Sequence, residues 1–142
     1  MAERFVKVNS KTFEIADKGA YFTVHIYDNY VVKYPKHEKV NSEKVLKRIA
    51  DIQTAMSEFM PEILPCKRQG MSLIMPRAPG VRCDHLPAGK WEKIKKLLPE
   101  IEARARQHGY IILGTDIHNI FYDEGSDQIY LVDCHLFRRA GD

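Results

Sequence analysis

The stretch from Tyr21 to Tyr34 limits the folds open to this chain more than any other segment. Tyr21-Phe-Thr-Val-His-Ile-Tyr27 puts Phe22, Val24 and Ile26 on one face and Thr23 and His25 on the other, the two-residue period of a half-buried strand. Asp28-Asn29 then offers the two-residue connection that hairpins favour. Tyr30-Val-Val-Lys-Tyr34 reads as the returning strand, stopped by Pro35, because proline cannot donate to a ladder. Further short strands are expected at Phe5 to Val8 and Lys11 to Ala16, and later at Ile63-Leu64 and Met71 to Met75, with a turn at Gln69-Gly70. The front of the molecule is therefore an antiparallel sheet.

One helix interrupts it. Val45, Leu46, Ile49, Ile52, Gln53, Met56 and Phe59 recur at helical spacing and give one buried stripe. Asn41 is the expected N-cap for a helix from Ser42 onward, and Pro61 and Pro65 close the segment. Pro76-Arg-Ala-Pro-Gly80 is neither helix nor central strand but a stiff connector. Behind it, Trp91, Ile94, Leu97, Leu98, Ile101 and Ala105 keep helical period between Lys90 and His108. Pro99 either kinks that helix or starts a second one, and Gly109 suits its end. Tyr110 to Leu113 reads as a short buried strand or turn, leading into the polar Gly114-Thr-Asp-Ile-His-Asn119. Ile120 to Tyr122 and Ile129 to Val132 form a hairpin, and Asp133 stands at its exit. The class is α+β.

At 142 residues and 16.5 kDa the chain is expected to form one domain. Hydrophobic residues at 44% and charged residues at 29% exclude wholesale disorder. No apolar run approaches the ~18 residues of a membrane span, and the amino terminus lacks the apolar region of a signal peptide. A net charge of +3 is too mild to imply a nucleic-acid partner. Cys66, Cys83 and Cys134 are widely spaced and odd in number, which argues against a disulfide framework or structural zinc and for a reducing compartment. A cytoplasmic protein is the default expectation, and a phage protein or a secreted effector fits equally.

The order of elements, with these residues in it, resembles the protein-kinase-like fold from Phe13 to Phe137. Phosphoryl transfer asks a protein for a phosphate cover, a cation, oxygen ligands for magnesium and a carboxylate near the acceptor hydroxyl. In Asp17-Lys-Gly-Ala-Tyr-Phe-Thr-Val24 one glycine of the family's phosphate loop survives, Gly19. Tyr21 matches the loop's aromatic tip and Val24 the residue packed over the base. Val31-Val32-Lys33 is similar to the family's V-A-I-K, which implies that Lys33 contacts the phosphates of ATP. Glu43, in Ser42-Glu-Lys-Val-Leu46, is its implied helix partner, with Glu38 the other candidate. Ser72 to Gly80 resembles the fifth strand, the hinge and its closing glycine; Met75 takes the gatekeeper position. The carbonyl of Pro76 and the amide of Ala78 would then face adenine. Asn119-Ile-Phe-Tyr-Asp123 through Leu131-Val-Asp133 resembles N-I-L-x-D…L-I-D, which implies Asn119 and Asp133 as Mg2+ ligands. The resemblance implies a two-lobe arrangement with residues 1–76 as N-lobe, 77–80 as hinge and 81–142 as a truncated helical C-lobe carrying the catalytic hairpin.

The base departs from the family. Kinases place it five residues before the asparagine, where this chain has Gly114. Either the loop is two residues short and Asp116 is the catalytic carboxylate, with His118 beside the phosphates, or the base is missing and the chain is a pseudokinase that binds nucleotide or a partner. Gly114-Thr-Asp-Ile-His-Asn119 is similar to the G-D-x-H-N string of lipid kinases and favours the first. Only nine residues follow Asp133, with no activation segment and none of the later helices, as in small effector kinases of bacterial pathogens. The acceptor, a protein among the candidates, would dock elsewhere, or a partner or second copy would make up the missing part. A competing reading takes Asp116, His118, Asp133 and His135 as a metal site for hydrolysis, and leaves Gly19, Lys33, Glu43 and the proline connector without a role.

Overall fold

The computed structural model describes residues 13–15, 21–113, 115–132 and 137–141. The expected strand at Phe5 to Val8 lies outside them. The chain divides into two units: one comprises the described residues up to Asp51 with Pro65–Arg77, the other Ile52–Leu64 with the residues from Ala78 onward.

Lys33 is on the middle strand of the first unit's sheet. Its strand, β3 (Tyr30–Pro35), lies between β2 (Phe22–Ile26) and β5 (Ser72–Pro76), with β1 (Phe13–Ile15) and β4 (Lys67–Gln69) at the edges of a five-stranded sheet. All neighbours are antiparallel. The turn at Asp28-Asn29 sets the register Val24↔Lys33 and Ile26↔Val31. Arg77 holds that turn, its amide donating to Asn29 O at 3.1 Å and its guanidinium to Tyr27 O at 3.3 Å.

The helix α1 (Glu43–Ser57) buries Leu46, Ile49, Ile52, Gln53 and Met56; of the expected stripe, Val45 is half-buried, and so is Phe59, past the helix end. Its N-cap is Ser42 rather than Asn41: Ser42 Oγ accepts from the Val45 amide at 3.1 Å. Asn41 instead ends the short 3-10 turn Glu38–Val40. Ile63-Leu64 is not a strand. Ile63 is buried in a turn whose amide donates to Met60 O, while Leu64 O accepts from Gln53 Nε2 at 2.8 Å. The strand that pairs with β5 is β4, beyond Pro65.

In the second unit Pro99 starts a new helix. α2 (Ala88–Lys95) ends before it and α3 (Leu98–Gln107) carries it in the first turn. Ile94, Leu98, Ile101 and Ala105 are buried, but Leu97, at the break, is 47% exposed. Gly109 follows α3 at φ 86°, as its position predicts. β7 (Tyr110–Ile112) pairs with β10 (Phe137–Arg139), a strand that no alternating pattern in the sequence announces. Leu113, expected buried, is 57% exposed just past the ladder. β6 (Val81–Arg82), β8 (Ile120–Asp123) and β9 (Gln128–Leu131) form a three-stranded sheet around the expected hairpin. No helix among the described residues is long and apolar enough to cross a membrane.

Candidate functional site

Residues paired across a sheet, and residues two apart along a strand, point to one face. The registers Val24↔Lys33↔Leu73 and Ile26↔Val31↔Met75 therefore put Val24, Lys33 and Met75 on the same face of the first unit's sheet. Lys33 is 7% exposed and Met75 4%. A lysine so placed is largely withdrawn from solvent. Leu73 continues the row to Arg68 on β4, and the carboxylate that the sequence assigns to Lys33 has Arg68 as a distant, exposed ion partner. Glu43 Oε1 lies 3.8 Å from Arg68 Nη1, with the Glu43 side chain 68% exposed. Glu38, the other candidate, is exposed. Tyr21 packs against His37 with tilted rings, centroids 4.9 Å apart, and its carbonyl accepts from the amides of Lys36 and His37. Gly19 lies outside the described residues. Pro76 ends β5 opposite Tyr30.

The second unit gathers the polar loop. Asp116 caps a 3-10 turn, Ile117–Asn119, by accepting the His118 amide at 2.8 Å on Oδ1. The same oxygen lies 2.7 Å from His118 Nδ1. These two bonds, the backbone one first, hold the Asp116 carboxyl below its ordinary range. The Asn119 amide donates to Asp116 O at 2.8 Å, and Asn119 O accepts from Val132 at 3.0 Å. With its backbone so engaged, Asn119 keeps a side-chain amide that has no hydrogen-bond partner among the described residues. Asp133 and His135 lie outside those residues. Asp116 and His118 spend their facing atoms on each other, and no group of three His, Cys, Asp or Glu among the described residues is arranged to hold a metal.

Sequence reasoning missed a carboxylate. Asp84 sits in the 3-10 turn Cys83–His85 and accepts both arms of the Arg82 guanidinium, at 2.7 and 2.9 Å. That fork pulls its carboxyl below the ordinary value. Its Oδ2 is 3.8 Å from His118 Nε2 and its Oδ1 3.7 Å from His85 Nε2. Nothing in the spacing of Arg82-x-Asp84 announces a partner thirty-four residues away. Cys83 is fully buried, which pushes its thiol up to about 11 and leaves it no part as a nucleophile.

Ala78 is buried, and Gly80 closes the connector at φ 91°. A Cβ on Gly80 would lie 2.0 Å from Tyr122 O. The glycine that the sequence marks as closing the hinge is thus required by the close passage of β8.

No protein-family model matches the chain, and no curated protein matches it. Solved structures do. The Cydia pomonella granulovirus kinase PK-1 superposes with a TM-score of 0.58 at 15% identity, covering 99% of this chain and 59% of the kinase. Monomeric WbdD gives 0.56 at 15% identity over 84% of this chain and 33% of that one. WbdD co-crystallised with the kinase inhibitor LY294002 gives 0.54. The fold is kinase-like. The chain spans about three fifths of the granulovirus kinase and a third of the WbdD chains.

Proposed function

We propose that this chain is an ATP- and magnesium-dependent phosphotransferase of kinase-like fold, moving the γ-phosphoryl group of ATP to a hydroxyl acceptor. Lys33 carries the reading. Lysine is seldom buried, and Lys33 is 7% exposed mid-sheet, on one face with Val24 and Met75, in a kinase-like fold. Lys33 holds the α- and β-phosphates, Val24 and Met75 flank adenine, and Pro76 and Ala78 meet its edge through main-chain groups. Gly19 and Tyr21 cover the phosphates. Glu43, whose Oε1 is 3.8 Å from Arg68 Nη1, orients Lys33.

Asn119 and Asp133 are the magnesium ligands. Their oxygen donors suit a hard cation, and the side-chain amide of Asn119, without a hydrogen-bond partner among the described residues, fits that role. Bound magnesium supplies charge neutralisation at the phosphoryl oxygens. Asp116, held ionised by His118, orients the acceptor hydroxyl. As the acceptor oxygen bonds to the γ-phosphorus and the bond to the ADP oxygen breaks, the hydroxyl proton passes to Asp116. A carboxylate with a lowered pKa is a weak base, so positioning contributes more here than proton affinity.

The reading is tested by thermal unfolding with ATP, with and without Mg2+, on the wild type and on Lys33→Met, which keeps the apolar stem. Stabilisation that needs the divalent ion and vanishes in Lys33→Met is expected; a wild type indifferent to ATP·Mg2+ sinks it. Asp116→Ala should keep the stabilisation and lose turnover. Gly114 at the family's base position favours a second reading, a nucleotide-binding pseudokinase, which predicts binding without turnover in the wild type.

A further inference from the structure

We propose that Asp84 is a positioning residue for the Asp116–His118 pair, holding the imidazole from the side opposite Asp116. The proposal rests on Asp116 acting in the phosphotransferase reading, and it adds a residue outside every motif of the sequence. The His118 ring has a carboxylate at each nitrogen: Asp116 Oδ1 at 2.7 Å from Nδ1 and Asp84 Oδ2 at 3.8 Å from Nε2. The first is a hydrogen bond. The second is beyond hydrogen-bond reach, and it attracts the ring when the imidazole is protonated. Both Asp116 and His118 have side chains more than half exposed, so solvent alone would leave the ring free to rotate and Asp116 with one anchor, the His118 amide.

Asp84 is built to be a fixed point. Its side chain is 20% exposed and both its oxygens are gripped by Arg82, so it does not follow the ring. Its turn is rooted by Cys83, which is fully buried, and packs directly on the turn Ile117–Asn119. A second carboxylate this near raises the proton affinity of Asp116, but the His118 hydrogen bonds, which lower it, are the larger influence. Arg82, on both Asp84 oxygens, tempers that charge. The imidazole is oriented at both ends, and it fixes the carboxylate that faces the acceptor.

The test uses Asp84→Asn, which keeps shape, and Asp84→Ala, with two readouts on the full chain. In nitrogen-15 NMR, the His118 ring signals, assigned by their loss in His118→Gln, should move in both variants. In steady-state kinetics, kcat of Asp84→Ala should fall about tenfold, as loosened positioning implies, while KM for ATP stays at the wild-type value. Ring signals unmoved in both variants overturn the proposal, and so does a wild-type kcat in Asp84→Ala. A wild type that binds no ATP sinks the phosphotransferase reading instead, and the NMR arm then still decides whether Asp84 holds His118.

Discussion

Asp84 and Arg82 make a bidentate pair two residues apart, short at 2.7 and 2.9 Å and mostly shielded from water. Charge-assisted forks of this kind are stronger than exposed ion pairs. Arg82's hydrogen bond lowers the Asp84 pKa from its ordinary 3.8 in the folded protein. A depressed carboxylate contributes stability that is fully present above its unfolded pKa and lost as pH falls through the folded one. Asp84→Asn should therefore lower stability at pH 7 by about 1–2 kcal/mol. The gap from wild type should close as pH drops below 3.8, read as denaturant midpoints from pH 7 down to pH 2. A constant gap would mean that the pair is not what the substitution removes. Lys33 and Asp84 also mark what a sequence discloses about single residues. Lys33 is legible because a charge interrupts a run of strand residues, Val31-Val32-Lys33-Tyr34. Asp84 is not, because its meaning comes from His118, and no local pattern encodes a contact between two loops.

Among the elements, those whose signal is periodic are where the sequence puts them: the Tyr21–Tyr34 hairpin, the stripe of α1 and the hairpin of β8 and β9. The departures occur where tertiary packing outweighs local pattern. Ile63-Leu64 is apolar enough for a strand, yet Pro61 and Pro65 leave it too few donors for a ladder, and it is buried as a turn. β10 owes its existence to β7, and its own residues, Phe137-Arg-Arg139, show no alternation. At the start of α1, Asn41 and Ser42 are both good caps, and one hydrogen bond decides between them. Ser42→Ala should cost about 1 kcal/mol, whereas Asn41→Ala should change stability by less than about 0.5 kcal/mol, both read by urea denaturation. Gly80→Ala should be far worse. It combines a left-handed φ of 91° with a Cβ set 2.0 Å from the Tyr122 carbonyl oxygen, so strain and overlap together should exceed about 3 kcal/mol. An alanine tolerated at position 80 would show that the connector shifts freely away from β8.

For the whole molecule, the order of strands, helices and connector preserves a kinase-like fold at 15% identity to its structural neighbours, and that order was legible. The proposed site is only partly written in the sequence, because phosphoryl transfer needs few side chains: the resemblance leaves one glycine, Gly19, for the phosphate loop and sets Asp133-Cys-His135 where kinases have D-F-G. The roles proposed for Lys33 and for Asn119 nonetheless make a joint prediction. A ligand that binds only the native state at a hundred times its Kd adds about 2.7 kcal/mol, and that free energy is felt by any segment whose opening releases the ligand. ATP·Mg2+ should therefore slow amide exchange in β3 around Lys33 and also in the Asp116–Asn119 turn and β8, although the two stretches belong to different units. Lys33→Met should remove the effect in both. Asp116→Ala should leave it in place, since that carboxylate meets the acceptor and not the nucleotide. Slowing confined to β3 would mean that nucleotide binds without Asn119, and slowing confined to the turn would take Lys33 out of the site.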